Sequence, residues 1–206
     1  MAVIPDYEVL GSTEGIALVQ HARASIAAAL NDDPTPDPPD NDGLRVDRGA
    51  FVTIRKDGEM RGCIGRPTPR RPLAVTVGEV AVAAATDDPR YPAMEADELD
   101  DALITVSVLT HPEAIDADEL SGYLDAIEVG RDGLIVEQGS HRGLLLPQVA
   151  VDNDWTAQKF LVETCRKAQL TGTAYVEPET TVKRFSAQKF TEKWPSGEIT
   201  QRNYIE

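Results

Sequence analysis

Apolar residues recur at three- and four-residue spacing from Thr13 to Leu30, at Ile16, Val19, Ala22, Ile26 and Leu30, behind a Ser12-Thr13 pair able to cap a helix. An amphipathic helix is predicted there. The pattern stops at residues 31–43, NDDPTPDPPDNDG, where five acids and four prolines exclude helix and ladder alike and predict a solvated loop. Strand alternation then takes over. GAFVTIRK and EMRGCIG flank Asp57-Gly58, a dipeptide that supplies the positive φ angles of a two-residue type I′ turn, so a β-hairpin is predicted. Pairing outward from that turn sets Arg55 opposite Met60, Ile54 opposite Arg61, Val52 opposite Cys63 and Phe51 opposite Ile64. Val52, Ile54, Arg61 and Cys63 then share one face, and Phe51, Thr53, Met60 and Ile64 the other; a bulge at Gly62 would reverse the faces beyond it.

Pro72 opens a small-residue helix, PLAVTVGEVAVAAAT, with Leu73, Val77, Val80 and Ala84 along one stripe. After the loop DDPRYP come a short acidic helix at 95–101 and the strand ALITVSVL. IEVG, LIVEQ and GLLLP, punctuated by GRDG and GSHRG, predict an antiparallel meander. Asp154 is placed to cap the helix WTAQKFLVETCRKAQL, TVKRFSAQKF reads as a closing strand, and residues 194–206 as a poorly ordered tail. The fold class is α+β, with mostly antiparallel strands, helices packed on them and no repeat of solenoid length.

Composition changes this picture in one respect. The 206 residues suffice for a real core, in one large domain or two small ones, but 35 acids outnumber 20 bases and leave a formal charge of −15. Such an acid coat stays soluble where salt shortens the Debye length to ~3 Å at 1 M, so a halophilic source is expected. Only local departures from acidity then inform about partners. RGCIGRPTPRR, residues 61–71, is the clearest departure, with four arginines and no acid around one of the two cysteines. No segment approaches the ~20 apolar residues of a membrane span, the first residues lack a signal-peptide pattern, and Cys63 and Cys165 are too few for a disulfide framework or a paired-cysteine metal site. A cytoplasmic protein, with no membrane partner and no bound metal, is expected.

Five ordered segments carry a resemblance. RGCIG before a Pro-Leu helix start, DPRYPAM, VSVLTHPE, VGRDGLIVEQGSHRGLLLPQVAVDNDW and ETCRKAQL together resemble the AMMECR domain family, over roughly residues 13–190. The resemblance implies a single α+β domain of two unequal lobes, with the family's most characteristic segment at Arg61 to Gly65. It implies no established activity, and a cofactor is not indicated. It points to Memo-type or radical-SAM proteins as possible partners. Arg66, Arg70 and Arg71 fall outside the pattern it shares.

The candidate chemistry centres on Cys63. Nearby guanidinium groups and a helix start at Pro72 favour a reactive thiolate, whereas a small buried hydrophobe facing Val52 and Ile54 is the usual condition of a free cysteine and the favoured reading. Catalysis would also need a base, for which His111, just past a strand end, is the best placed of three scattered histidines. Gly62 and Gly65 mark either a close ligand approach or tight helix packing. Arg61, with Arg66, Arg70 and Arg71, makes either an anion site or ordinary ion pairs with abundant acids. In the DPRYP loop, Asp87 and Asp88 could bind a cation or hold Arg61, and Arg90 flanks the motif. Cys165, on the inner face of the last long helix, reads as core. The expected function is a binding or adaptor module that presents the hairpin, with Arg61, Gly62, Ile64, Gly65 and Arg90 as contact residues, to a protein partner or an anionic small molecule. An enzyme acting through Cys63 is the alternative, and nucleic-acid binding a further one that the global charge opposes.

Overall fold

A computed structural model describes residues 9–68 and 70–203. The chain divides into two compact units, one comprising residues up to Leu109 together with Gln188–Arg202, the other spanning Thr110–Ala187.

The first unit carries α1 (Ser12–Leu30), β1 (Ala50–Lys56), β2 (Glu59–Arg66), α2 (Leu73–Thr86) and β3 (Ala102–Leu109). A five-stranded sheet of order β2-β1-β3-β8-β9 is completed from the far end of the chain by β8 (Ala187–Glu192) and β9 (Ile199–Asn203). Alternation in β1 sends Ala50, Val52 and Ile54 inward, opposite Val108, Val106 and Ile104 of β3, and all six are fully buried. Leu18, Val19, Ala22 and Ile26 of α1, with Val77, Val80, Ala81 and Ala84 of α2, close that core. The predicted helices are present with shifted starts. Gly11 rather than a serine hydroxyl precedes α1, Pro72 stands one residue before α2, and Ile16 is exposed because the buried stripe runs through Leu18 instead. Residues 31–41 form an extended loop, and Asn41 caps one turn of helix at Asp42–Leu44.

Arg23 of α1 fastens this unit internally. Its guanidinium donates to Glu192 at 2.8 and 2.6 Å, and to the carbonyls of Leu99 and Ala102 at 2.9 and 2.6 Å. Glu192 also accepts from the Ile104 amide at 2.8 Å, so the buried pair is well satisfied, as such a pair must be.

The second unit holds β4 (Glu113–Ala114), α3 (Leu120–Ala126), β5 (Gly133–Gln138), β6 (His141–Leu145), α4 (Pro147–Asp152), α5 (Ala157–Lys167) and β7 (Thr181–Phe185), with sheet order β4-β7-β5-β6. Thr156, not Asp154, caps α5, because Asp154 takes a left-handed φ of 56°. Cys165 is fully buried in this unit's core, and burial pushes its thiol pKa up. IEVG is not a strand: the turn at Gly130 and Asp132 follows α3 directly, and Asp132 accepts the Glu128 amide at 2.8 Å.

The predicted closing strand is two strands. TVKRF pairs in the second unit as β7, Ser186 breaks the run, and Ala187–Glu192 becomes β8 of the first unit's sheet. The expected tail is corrected as well. Lys193 to Glu198 turn the chain back, closed by a Lys193 amide to Glu198 carbonyl bond of 2.8 Å, and Ile199–Asn203 pairs with β8 as β9. Residues 204–206 lie outside the described residues.

Candidate functional site

The hairpin turn is the expected one, with φ of 53° at Asp57 and 82° at Gly58. Lys56 faces Glu59 and Arg55 faces Met60, but the next pair is Ile54 with Gly62, leaving Arg61 as an extra residue in β2. This β-bulge turns Cys63 away from Val52 and onto Thr53, whose Oγ1 lies 3.2 Å from the thiol sulfur. Cys63 is therefore half-buried on the face opposite the helices. On that face Thr53 is also paired with Thr105, which donates to Thr191 at 3.2 Å, so a thiol and three hydroxyls form one row across four strands.

The reversed faces explain both glycines by packing. Gly62 now points at α2, where a Cβ would lie 2.0 Å from the Ala84 carbonyl oxygen, and at Gly65 it would lie 2.2 Å from the Phe51 ring. Ile64, paired with Val52, packs partly buried against the core.

Because β2 is an edge strand, the Cys63 amide and carbonyl point away from β1 and need partners. The DPRYP loop supplies them. Asp88 accepts the Cys63 N–H at 2.8 Å, Arg90 donates to the Cys63 carbonyl at 3.2 Å, and the two side chains pair at 2.6 and 2.9 Å. The Arg90 hydrogen bonds, then the Cys63 amide, outweigh burial and hold Asp88 well below the ordinary carboxylate range. The bonds to Asp88 raise Arg90, whose guanidinium also lies 5.4 Å from the centre of the Tyr91 ring and whose side chain is half exposed.

Arg61 is held by Glu98, not by the aspartates. Its guanidinium forms a two-pronged bond to that carboxylate at 3.0 and 2.8 Å and donates to the carbonyls of Pro92 and Ala93 at 2.8 and 3.2 Å. Arg61, then the Glu95 amide, lowers the Glu98 pKa to about 2. Arg66 and Arg71 both donate to Glu79 of α2, while Arg70 is exposed. His111 is an exposed residue of the second unit; the hydrogen bonds of Cys63 go to Thr53, Asp88 and Arg90. Among the described residues no three His, Cys, Asp or Glu side chains gather as a metal site, and no helix is long and apolar enough to cross a membrane.

The AMMECR1 family profile matches residues 19–190. The chain belongs to the AMMECR1 family. A relative from Methanothermobacter thermautotrophicus is 47% identical over 90% of this chain and 98% of its own, and one from Thermofilum pendens 44% identical over 94% and 96%. The crystal structure of an uncharacterised Pyrococcus horikoshii protein is similar with a TM-score of 0.88 at 39% identity, covering 94% of this chain and 98% of that one. In this AMMECR1-family chain, Glu98 and Thr53 are the site residues that sequence reasoning passed over. For Glu98 there was a signal, since Glu95 and Glu98 stand at capping-box spacing and do form that box.

Proposed function

We propose that this chain is a binding or adaptor module whose RGCIG hairpin and DPRYP loop form one rigid surface for a protein partner. The carrying observation is the Asp88–Arg90 clamp on the Cys63 backbone. It satisfies the strand edge and fixes the loop before any partner arrives, so little ordering entropy remains to be lost on binding. A surface with its edge already filled offers side chains, not strand addition, to its partner. Arg90 and Tyr91 provide an exposed cation over a ring, two residue types enriched among interface hot spots. Memo-type or radical-SAM proteins are the partner class that family resemblance implies.

For the enzyme reading, the carboxylate that touches Cys63 is a poor base. Asp88 is spent on an amide and a guanidinium and is held well below the carboxylate range, which makes it a weak proton acceptor for the thiol. Two measurements separate the readings. In a folded Cys165→Ala background, alkylation of Cys63 at neutral pH should be slower than that of an unstructured cysteine peptide; reaction much faster than the peptide would favour catalysis. A tagged chain recovered at molar salt should bring down a partner that Arg90→Glu loses. Recovery of the parent chain alone, in repeated preparations, would overturn the adaptor reading.

A further inference from the structure

Helix α2 turns Val75, Glu79 and Val82 toward the proline-rich loop, and a cavity of about 480 Å³ lies between them. That volume falls within the about 300–1,000 Å³ usual for small-molecule sites. Pro36 and Pro38 of the loop face the two valines, so the walls are apolar and stiff. One buried polar side chain reaches the lining: His21 of α1, only 8% exposed.

Gly78 makes room for that imidazole, since a Cβ there would stand 2.8 Å from Nε2. The ring donates one N–H to the Ala74 carbonyl, and burial keeps it neutral by lowering its pKa. A neutral imidazole with one nitrogen donating has its other nitrogen as an acceptor. Glu79, shared between Arg66 and Arg71, presents an already neutralised carboxylate at the rim. The cavity therefore combines largely apolar walls, one buried imidazole, the exposed Thr35 hydroxyl at its mouth and a rim carboxylate that two guanidinium groups already hold.

We propose that this cavity binds a small, neutral, largely apolar heteroaromatic molecule carrying one N–H or O–H donor, which His21 orients. The site is independent of the RGCIG surface. Its ligand would be chosen by shape first and by the hydrogen bond second, because a buried acceptor left unmet by a donor-less analogue costs affinity.

Indole and naphthalene, of similar size with and without an N–H, are the probes, followed by NMR signals of His21, Val75 and Val82 in the full chain. Indole should shift all three saturably, and naphthalene should bind about three- to tenfold more weakly. His21→Phe should erase that difference. Val75→Phe, a change at a partly exposed position that fills the cavity without touching the core, should weaken both probes about tenfold or more. Shifts absent up to the solubility limit of indole, scattered over other residues, or unchanged by Val75→Phe would each overturn the proposal.

Discussion

A methyl group at position 62 would collide with the Ala84 carbonyl oxygen, and neither the α2 backbone nor the edge strand packed under it can yield cheaply. Gly62→Ala should therefore cost about 1–3 kcal/mol, read as a lowered midpoint in urea unfolding. Gly58→Ala, where nothing lies within 4 Å but φ is positive, should cost about 1–2 kcal/mol through backbone strain alone. Both glycines of RGCIG were visible in the sequence, but spacing cannot say which atom lies over a given Cα. Glu98 makes a pH prediction. Its folded pKa is about 2 against an ordinary 4.5, so the folded state binds its proton later than the unfolded chain does. Its contribution is fully present above pH 4.5 and is lost as pH falls toward 2. The stability gap between the parent and Glu98→Gln should close over that window; a gap independent of pH would mean that Arg61 is held mainly by the Pro92 and Ala93 carbonyls.

At the scale of elements, the turn of the hairpin was legible and its register was not. Asp57-Gly58 has few conformational alternatives, whereas the extra residue at Arg61 is favoured by contacts from far along the chain: Glu98, and the Ala84 carbonyl that admits only glycine. A two-residue turn alone would have put Cys63 beside Val52. The same limit hid the break at Ser186, because TVKRF and AQKF alternate smoothly while belonging to different sheets. The strand β9 was missed for a third reason, that Thr200, Gln201 and Arg202 are exposed and carry no apolar alternation. Truncation after Glu198 tests its worth. Loss of the ladder and of Ile199, which packs against the core, should lower Tm by several degrees, at about 2–4 °C per kcal/mol for a chain of this size. An unchanged Tm would mean that these residues are the dispensable tail their composition predicts.

For the molecule as a whole, fold class and family could be read from order and spacing, while the point at which the chain divides into two units could not. That division falls at Leu109–Thr110 and again at Ala187–Gln188, inside or beside strands, and not at the acidic proline-rich loop. The charge of −15 belongs to this scale too. Several bases are matched to acids in exposed pairs, such as Arg45 with Asp40 and Asp42, which contribute little each. The unmatched acids repel one another. Raising KCl from about 0.1 M to about 1 M shortens the Debye length from roughly 10 to 3 Å and should raise Tm, most steeply at the low end. A flat response in calorimetry would argue that the acids serve a local purpose instead.

The extra residue at Arg61 also governs which changes in length the gene can tolerate. Losing the Arg61 codon would place Gly62 directly after Met60 and still opposite Ile54, so Cys63 would keep its place opposite Thr53; what would go is the guanidinium that binds Glu98 and the carbonyls of Pro92 and Ala93. Codons added at Asp57-Gly58 lie on the far side of the bulge, in open solvent, and need not disturb the pairing beyond it. Descendants of this chain are thus free to vary the tip of the hairpin in length, and what keeps the codon for Arg61 is the bond to Glu98, not the register of the strand.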